Sequence, residues 1–183
     1  MFAFRKNLLH REAQSFSQRK SPQREIIMKK LLLLCIVFFA ISCENSLNRS
    51  SVPIAPVSIR INLHHFPHLL ATPFTNEYFT EVDQSIGVFA VGFGGVLITT
   101  FMNPGSINVQ YAAFDMACPY ELDRNTRVFP DDTGFFAVCE TCGSRFDLSS
   151  GLGILAEGPA REHLRRLNVH REGNYLRVMP RNY

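Results

Sequence analysis

From residue 57 onward the chain offers only short apolar stretches, and their period is two. Val57, Ile59, Ile61 and Leu63 share one parity, while Ser58, Arg60 and Asn62 take the other. Alternation of that kind puts every second side chain on one face of an extended strand. It recurs at Ile107, Val109, Tyr111 and Ala113. Leu167 and Val169 lead through a turn at 171–174 into residues 175–179, which predicts a terminal hairpin. Residues 86–101 hold two apolar segments around Gly92 and the Gly94-Gly95 pair, which predicts a bulge or tight turn within β structure. Turn-forming residues at 103–106, 129–134 and 147–151 break the chain further. Only residues 69–78 leave room for a short helix, and Pro73 weakens it. The expected fold is all-β, an antiparallel sandwich or barrel.

The charge is divided unevenly along the chain. Eight Lys and Arg precede Cys43 against two Asp and Glu, whereas the remainder has eleven Arg, no Lys and fourteen acidic residues. The part that folds is therefore mildly acidic, which argues against a nucleic-acid partner. The basic excess belongs to an export signal. Lys29 and Lys30 precede an unbroken apolar run from Leu31 to Ile41, followed by Ser42 and Cys43. That run is half of the roughly 20 residues needed to span a bilayer. Ala40-Ile41-Ser42-Cys43 resembles a bacterial lipobox, which implies lipidation of Cys43 and anchoring by several acyl chains. Residues 1–27 are expected to be an upstream extension with Met28 as the true start, 28–42 the lipoprotein signal, 43–56 a polar tether and 57–183 the domain. The expected location is the bacterial cell envelope, with the chain held at a membrane by its lipid anchor.

Three cysteines remain for the domain: Cys118, Cys139 and Cys142. An odd number cannot pair off within one chain. Cys118 follows one predicted strand, and Cys139 follows another twenty-one residues later. A hairpin through 129–134 brings the two loops together and makes a metal clamp easy to build.

These loops, with Gly143-Ser144 and the Glu157-Gly158-Pro159-Ala160 stretch, resemble the Rieske iron–sulfur domain from about Val57 to Met179. The resemblance is densest from 139 to 178. It implies a β-sandwich or barrel with two metal-loop hairpins, in which Cys118 and Cys139 stand at the two thiolate positions and the Ser144 hydroxyl donates to a [2Fe–2S] cluster. It also implies that Gly158-Pro159 shields the cluster. The departures lie in the ligands. Tyr120 and Cys142 stand where the family has histidines, and Asp123 and Thr141 stand where its cytochrome-complex members have a loop-bridging disulfide. The inherited ligand set is Cys118, Tyr120, Cys139 and Cys142, and exchanging imidazoles for anionic ligands lowers the potential.

Read without the resemblance, the three cysteines admit several chemistries. They could hold an iron–sulfur cluster of atypical ligation, helped by Tyr120 or Asp115. They could hold a tetrahedral zinc with an unassigned fourth ligand. They could hold no metal and form a disulfide, Cys139 with Cys142 or either with Cys118. They could remain free thiols. The functional expectation is a redox or electron-transfer module with an envelope partner, not an enzyme. A cluster-less structural or interaction module is the alternative. Asp115 and Glu121 flank Cys118 and are expected to cap a loop. His64, His65 and His68 are expected on a surface loop, since Pro67 argues against a helix there. His163 and His170 are expected to face solvent on the terminal strands. Arg161, Arg165 and Arg166 are expected on a solvated strand face.

Overall fold

The computed structural model describes Lys30 and residues 50–181. The expectations for residues 1–27, for the signal at 28–42 apart from Lys30, and for Cys43 lie outside the described residues. Among those described, no helix is long and apolar enough to cross a membrane.

From residue 57 on, the described residues form eleven short strands and one short α-helix in order. They are β1 (Val57–Asn62), α1 (Pro67–Ala71), β2 (Asn76–Phe79), β3 (Val88–Val91), β4 (Val96–Phe101), β5 (Gln110–Asp115), β6 (Val128–Pro130), β7 (Phe136–Cys139), β8 (Arg145–Asp147), β9 (Ile154–Glu157), β10 (Arg166–Glu172) and β11 (Tyr175–Met179). Seven strands form one sheet in the order β2-β4-β5-β10-β11-β1-β3, and four form a second in the order β6-β7-β8-β9. All strand pairs are antiparallel. The all-β expectation therefore holds.

The period-two pattern accounts for the packing. In β1, Val57, Ile59 and Ile61 face one core with Leu176 and Val178 of β11. Strands β4 and β5 are buried on both faces. Val96, Ile98 and Ala113 join that core, while Leu97, Ala112 and Phe114 point the other way. There they meet Val128, Ala137, Cys139 and Phe146 of the four-stranded sheet in a second core. This is why residues 96–98 read as continuously apolar rather than alternating. The hairpin of β10 and β11 turns at Gly173-Asn174, with Gly173 at φ +60°.

Three local expectations change. The alternation at Ile107 and Val109 does not start a strand: β5 begins at Gln110, and Ile107 is 93% exposed in the preceding loop. The helix spans Pro67–Ala71 and not 69–78, because Asn76–Phe79 pairs with β4 as an edge strand. Pro67 opens α1 rather than preventing it, since the first helical turn needs no proline N–H. His64 and His65 lie on an exposed 3-10 turn, and His68, in α1, pairs with Glu77 at 3.1 Å.

Part of the segment expected as tether is fastened to the domain. Ser51 donates through its N–H and its hydroxyl to the two carboxylate oxygens of Glu162, each at 2.6 Å. Val52 is 1% exposed, and its carbonyl accepts from Arg165 Nη1 at 2.7 Å. Pro56 O accepts from Gly92 N–H at 2.9 Å. Arg165 is thus buried, not solvated as the basic run suggests; its length lets it reach across to the N-terminal segment. Val52→Ala is expected to lower unfolding free energy by about 1.5 kcal/mol, from the lost burial of its methyls. Ser51→Ala, which breaks only exposed contacts to a charge, should cost less than about 1 kcal/mol. Urea unfolding of the two variants checks the difference.

Candidate metal centre

The three cysteines come from two loops that meet at one end of the four-stranded sheet. Cys118 lies on the connection from β5 to β6, which an isolated bridge between Ala117 and Arg127 closes at its base. Within that loop Cys118 N–H donates to Thr126 O at 3.0 Å, and Cys118 O accepts from Leu122 N–H at 3.0 Å. Cys139 ends β7, opposite Val128. The chain then turns through 140–143: Gly143 N–H donates to Cys139 O at 2.8 Å, and Cys139 N–H donates to Ser144 O at 2.9 Å. Both loops are braced by their own backbone hydrogen bonds.

The Sγ atoms of Cys118, Cys139 and Cys142 all lie within 4.8 Å of one another, and those of Cys118 and Cys142 are 3.6 Å apart. No histidine or carboxylate joins this group among the described residues. Cys118 and Cys139 are fully buried, whereas Cys142 is partly exposed. Burial pushes the Cys118 thiol up to about 12, although the backbone N–H groups of Glu121 and Tyr120 point at its sulfur and oppose the rise. Burial works against Cys142 too, but it is outweighed. The Ser144 hydroxyl and N–H and the two neighbouring thiols bring Cys142 below the ordinary thiol value.

Ser144 organises the second loop. It is fully buried, its Oγ lies 3.2 Å from Cys142 Sγ, and that oxygen accepts from Ala160 N–H at 3.1 Å. The 157–160 stretch presses on it. A Cβ placed on Gly158, whose φ is +101°, would lie 2.5 Å from Ser144 Cα, so only glycine fits this approach.

The first loop is organised by Asp115. This carboxylate is 2% exposed. Oδ2 accepts from Phe93 N–H at 2.8 Å, and Oδ1 accepts from Gly94 and Ala117 N–H, both at 2.9 Å. Burial pushes its pKa up, against those three donors and the nearby Arg165 charge. Asp115 thus ties the glycine turn at 92–95 to the residue before Cys118, which is the loop-capping role expected of it. Arg127 Nε donates to Gly94 O from the other side.

Tyr120 occupies the Cys118 loop with its side chain about half exposed. Glu121 contributes its N–H rather than its carboxylate. His163 belongs to the loop between β9 and β10 and not to a strand; its Nδ1 accepts from Leu155 N–H at 2.9 Å. His170 is exposed on β10. Gly94 also lies so close to Ala117 that a Cβ added to it would collide with the Ala117 backbone. The roles of Arg165, Arg127 and this approach leave no local sequence signal, because each depends on a contact made across the fold.

The donor set decides what could be held. Thiolate–zinc bonds of ~2.3 Å place two ligands of one tetrahedral ion about 3.8 Å apart. Three sulfurs within 4.8 Å of each other fit one soft ion with a fourth position left over. They do not fit a two-iron cluster of the Rieske kind, whose ligands divide between two irons and include two imidazoles.

No family model matches the chain, and no curated protein matches it. Among solved structures, the chain is similar to the cyanobacterial plasma membrane Rieske protein PetC3 from Synechocystis PCC 6803. The identity is 18% and the TM-score 0.41, over 68% of this chain and 97% of that one.

Proposed function

We propose that the chain is a lipid-anchored envelope protein whose β domain holds one soft metal ion through Cys118, Cys139 and Cys142, in a redox or electron-transfer role. The observation that carries this reading is the convergence of three sulfurs within 4.8 Å from two separately braced loops. Three thiols must lose their protons to act as ligands, and a bound cation offsets the repulsion among the thiolates that result. Bound iron would supply a one-electron couple; bound zinc would make the centre structural. The envelope location rests on the Lys-Lys, apolar and Ser-Cys order of the signal. The Rieske-type scaffold is supported by the Cys139-x-x-Cys142-Gly-Ser loop and by the packing of Gly158 and Ala160 on Ser144. We read the domain as a carrier or binding module rather than an enzyme. One groove of about 350 Å³ among the described residues lies between α1, β2 and the β6–β7 turn, and none of the three cysteines lines it.

Cobalt(II) titration tests the ligand assignment, because thiolate coordination gives an intense charge-transfer band. Cys118→Ser, Cys139→Ser and Cys142→Ser are each expected to weaken binding by at least about 100-fold while circular dichroism keeps its β signature. Tyr120→Phe is expected to leave affinity within a few-fold. A tight site that survives loss of any one cysteine would sink the assignment.

A further inference from the structure

The three sulfurs are not equivalent in access or in freedom. Cys118 and Cys139 are fully buried, while Cys142 is partly exposed on the turn that follows β7. Cys139 is held in strand pairing opposite Val128. Cys142 is followed by Gly143, where a side chain would meet nothing within 4 Å, so the turn has room to shift. Cys118 Sγ stands 3.6 Å from Cys142 Sγ. A disulfide bond is about 2.05 Å long, so the two sulfurs need to close by only about 1.6 Å.

We propose that Cys142 and Cys118 form an exchange pair that reacts with disulfides of small or protein thiols, and that the bond they form displaces the metal. Cys142 Sγ, its proton given up to solvent, attacks one sulfur of the incoming disulfide, making a mixed disulfide and releasing one thiolate, which takes up a proton. Cys118 Sγ then gives up its proton to solvent and attacks Cys142 Sγ, expelling the second thiolate. Two protein thiols are oxidised to one disulfide, and the incoming disulfide is reduced to two thiols. Cys139 takes no part and stays a free thiol, which answers the odd cysteine count. With two of its three ligands joined, the site loses its hold on an ion. The displacement rests on the metal-binding reading above; the exchange itself does not.

The test uses the full-length chain carrying Cys35→Ser and Cys43→Ser, so that only the three domain cysteines remain. The reduced, chelator-stripped protein is equilibrated with oxidised and reduced glutathione at increasing ratio, alkylated, digested and mapped by mass spectrometry. The expected product is a single Cys118–Cys142 disulfide with Cys139 alkylated, unchanged in the Cys139→Ser variant. Cys118→Ser is expected to stop at a persistent glutathione adduct on Cys142. A Cys139–Cys142 disulfide, an adduct on Cys118 or Cys139, or three alkylated thiols in excess oxidised glutathione would overturn the proposal. Repeating the titration on zinc-loaded protein with a metallochromic dye should show zinc released in step with the disulfide. Disulfide formation without release would overturn the displacement. A reduced protein that binds no zinc would instead count against the metal reading and leave the disulfide map to decide the exchange.

Discussion

Asp115→Ala is expected to destabilise the domain by about 3–5 kcal/mol. The substitution leaves three buried N–H groups, those of Phe93, Gly94 and Ala117, without their acceptor. Each unmet buried donor costs about 1–3 kcal/mol, moderated where water can enter. It also removes a negative group beside Arg165, which stays buried. A domain of this size has only about 5–15 kcal/mol in hand, so the midpoint in urea should fall by a large fraction. Asp115→Asn separates the two oxygens. Its one remaining carbonyl can serve Gly94 and Ala117 together, as Oδ1 does, but its amide nitrogen then faces the Phe93 N–H. About half the loss is expected. A cost below about 1 kcal/mol for alanine would mean that Asp115 does not organise the loop.

The second large effect is expected at Gly158. Valine there meets two obstacles. An L-residue at φ +101° is strained by about 1–2 kcal/mol or more, and its Cβ would lie 2.5 Å from Ser144 Cα, a backbone atom that cannot swing away. Residues 158–160 would have to lift, breaking the Ala160 N–H bond to Ser144 Oγ and uncovering the oxygen beside Cys142. Unfolding free energy should fall by about 3 kcal/mol, and metal affinity should fall with it. Gly143→Ala is the control. It shares a positive φ, +74°, but its Cβ would meet nothing within 4 Å, so it should cost only about 1 kcal/mol and leave the ion bound. Equal losses at both positions would show that strain alone, and not the packing on Ser144, explains Gly158.

The strands were legible where one face is buried and the other wet. The alternation of β1 and the hairpin of β10 and β11 stand in the sequence as they stand in the fold. Strand β4 showed only as an apolar stretch, because two cores bury its two faces and erase the alternation. The alternating pattern begins before β5 does, for the opposite reason: Ile107 and Val109 carry a period that no partner strand takes up. At the site, the cysteines could be picked out by spacing, and Asp115 by its place before Cys118. The sequence could not say that the Cys142 sulfur would stand 3.6 Å from that of Cys118, on the other loop. Nor could it say that Arg165 would be buried against Val52, since a basic run carries no mark of the residue it reaches.

The central claim is that three cysteines hold a single ion. The most direct measurement is the content of iron, zinc and acid-labile sulfide per chain in full-length protein purified without oxygen, with its visible spectrum. One metal ion per chain with no acid-labile sulfide is the predicted result. Two irons with two sulfides would contradict it in favour of a cluster, and a metal-free protein with its three domain thiols titratable would contradict it altogether.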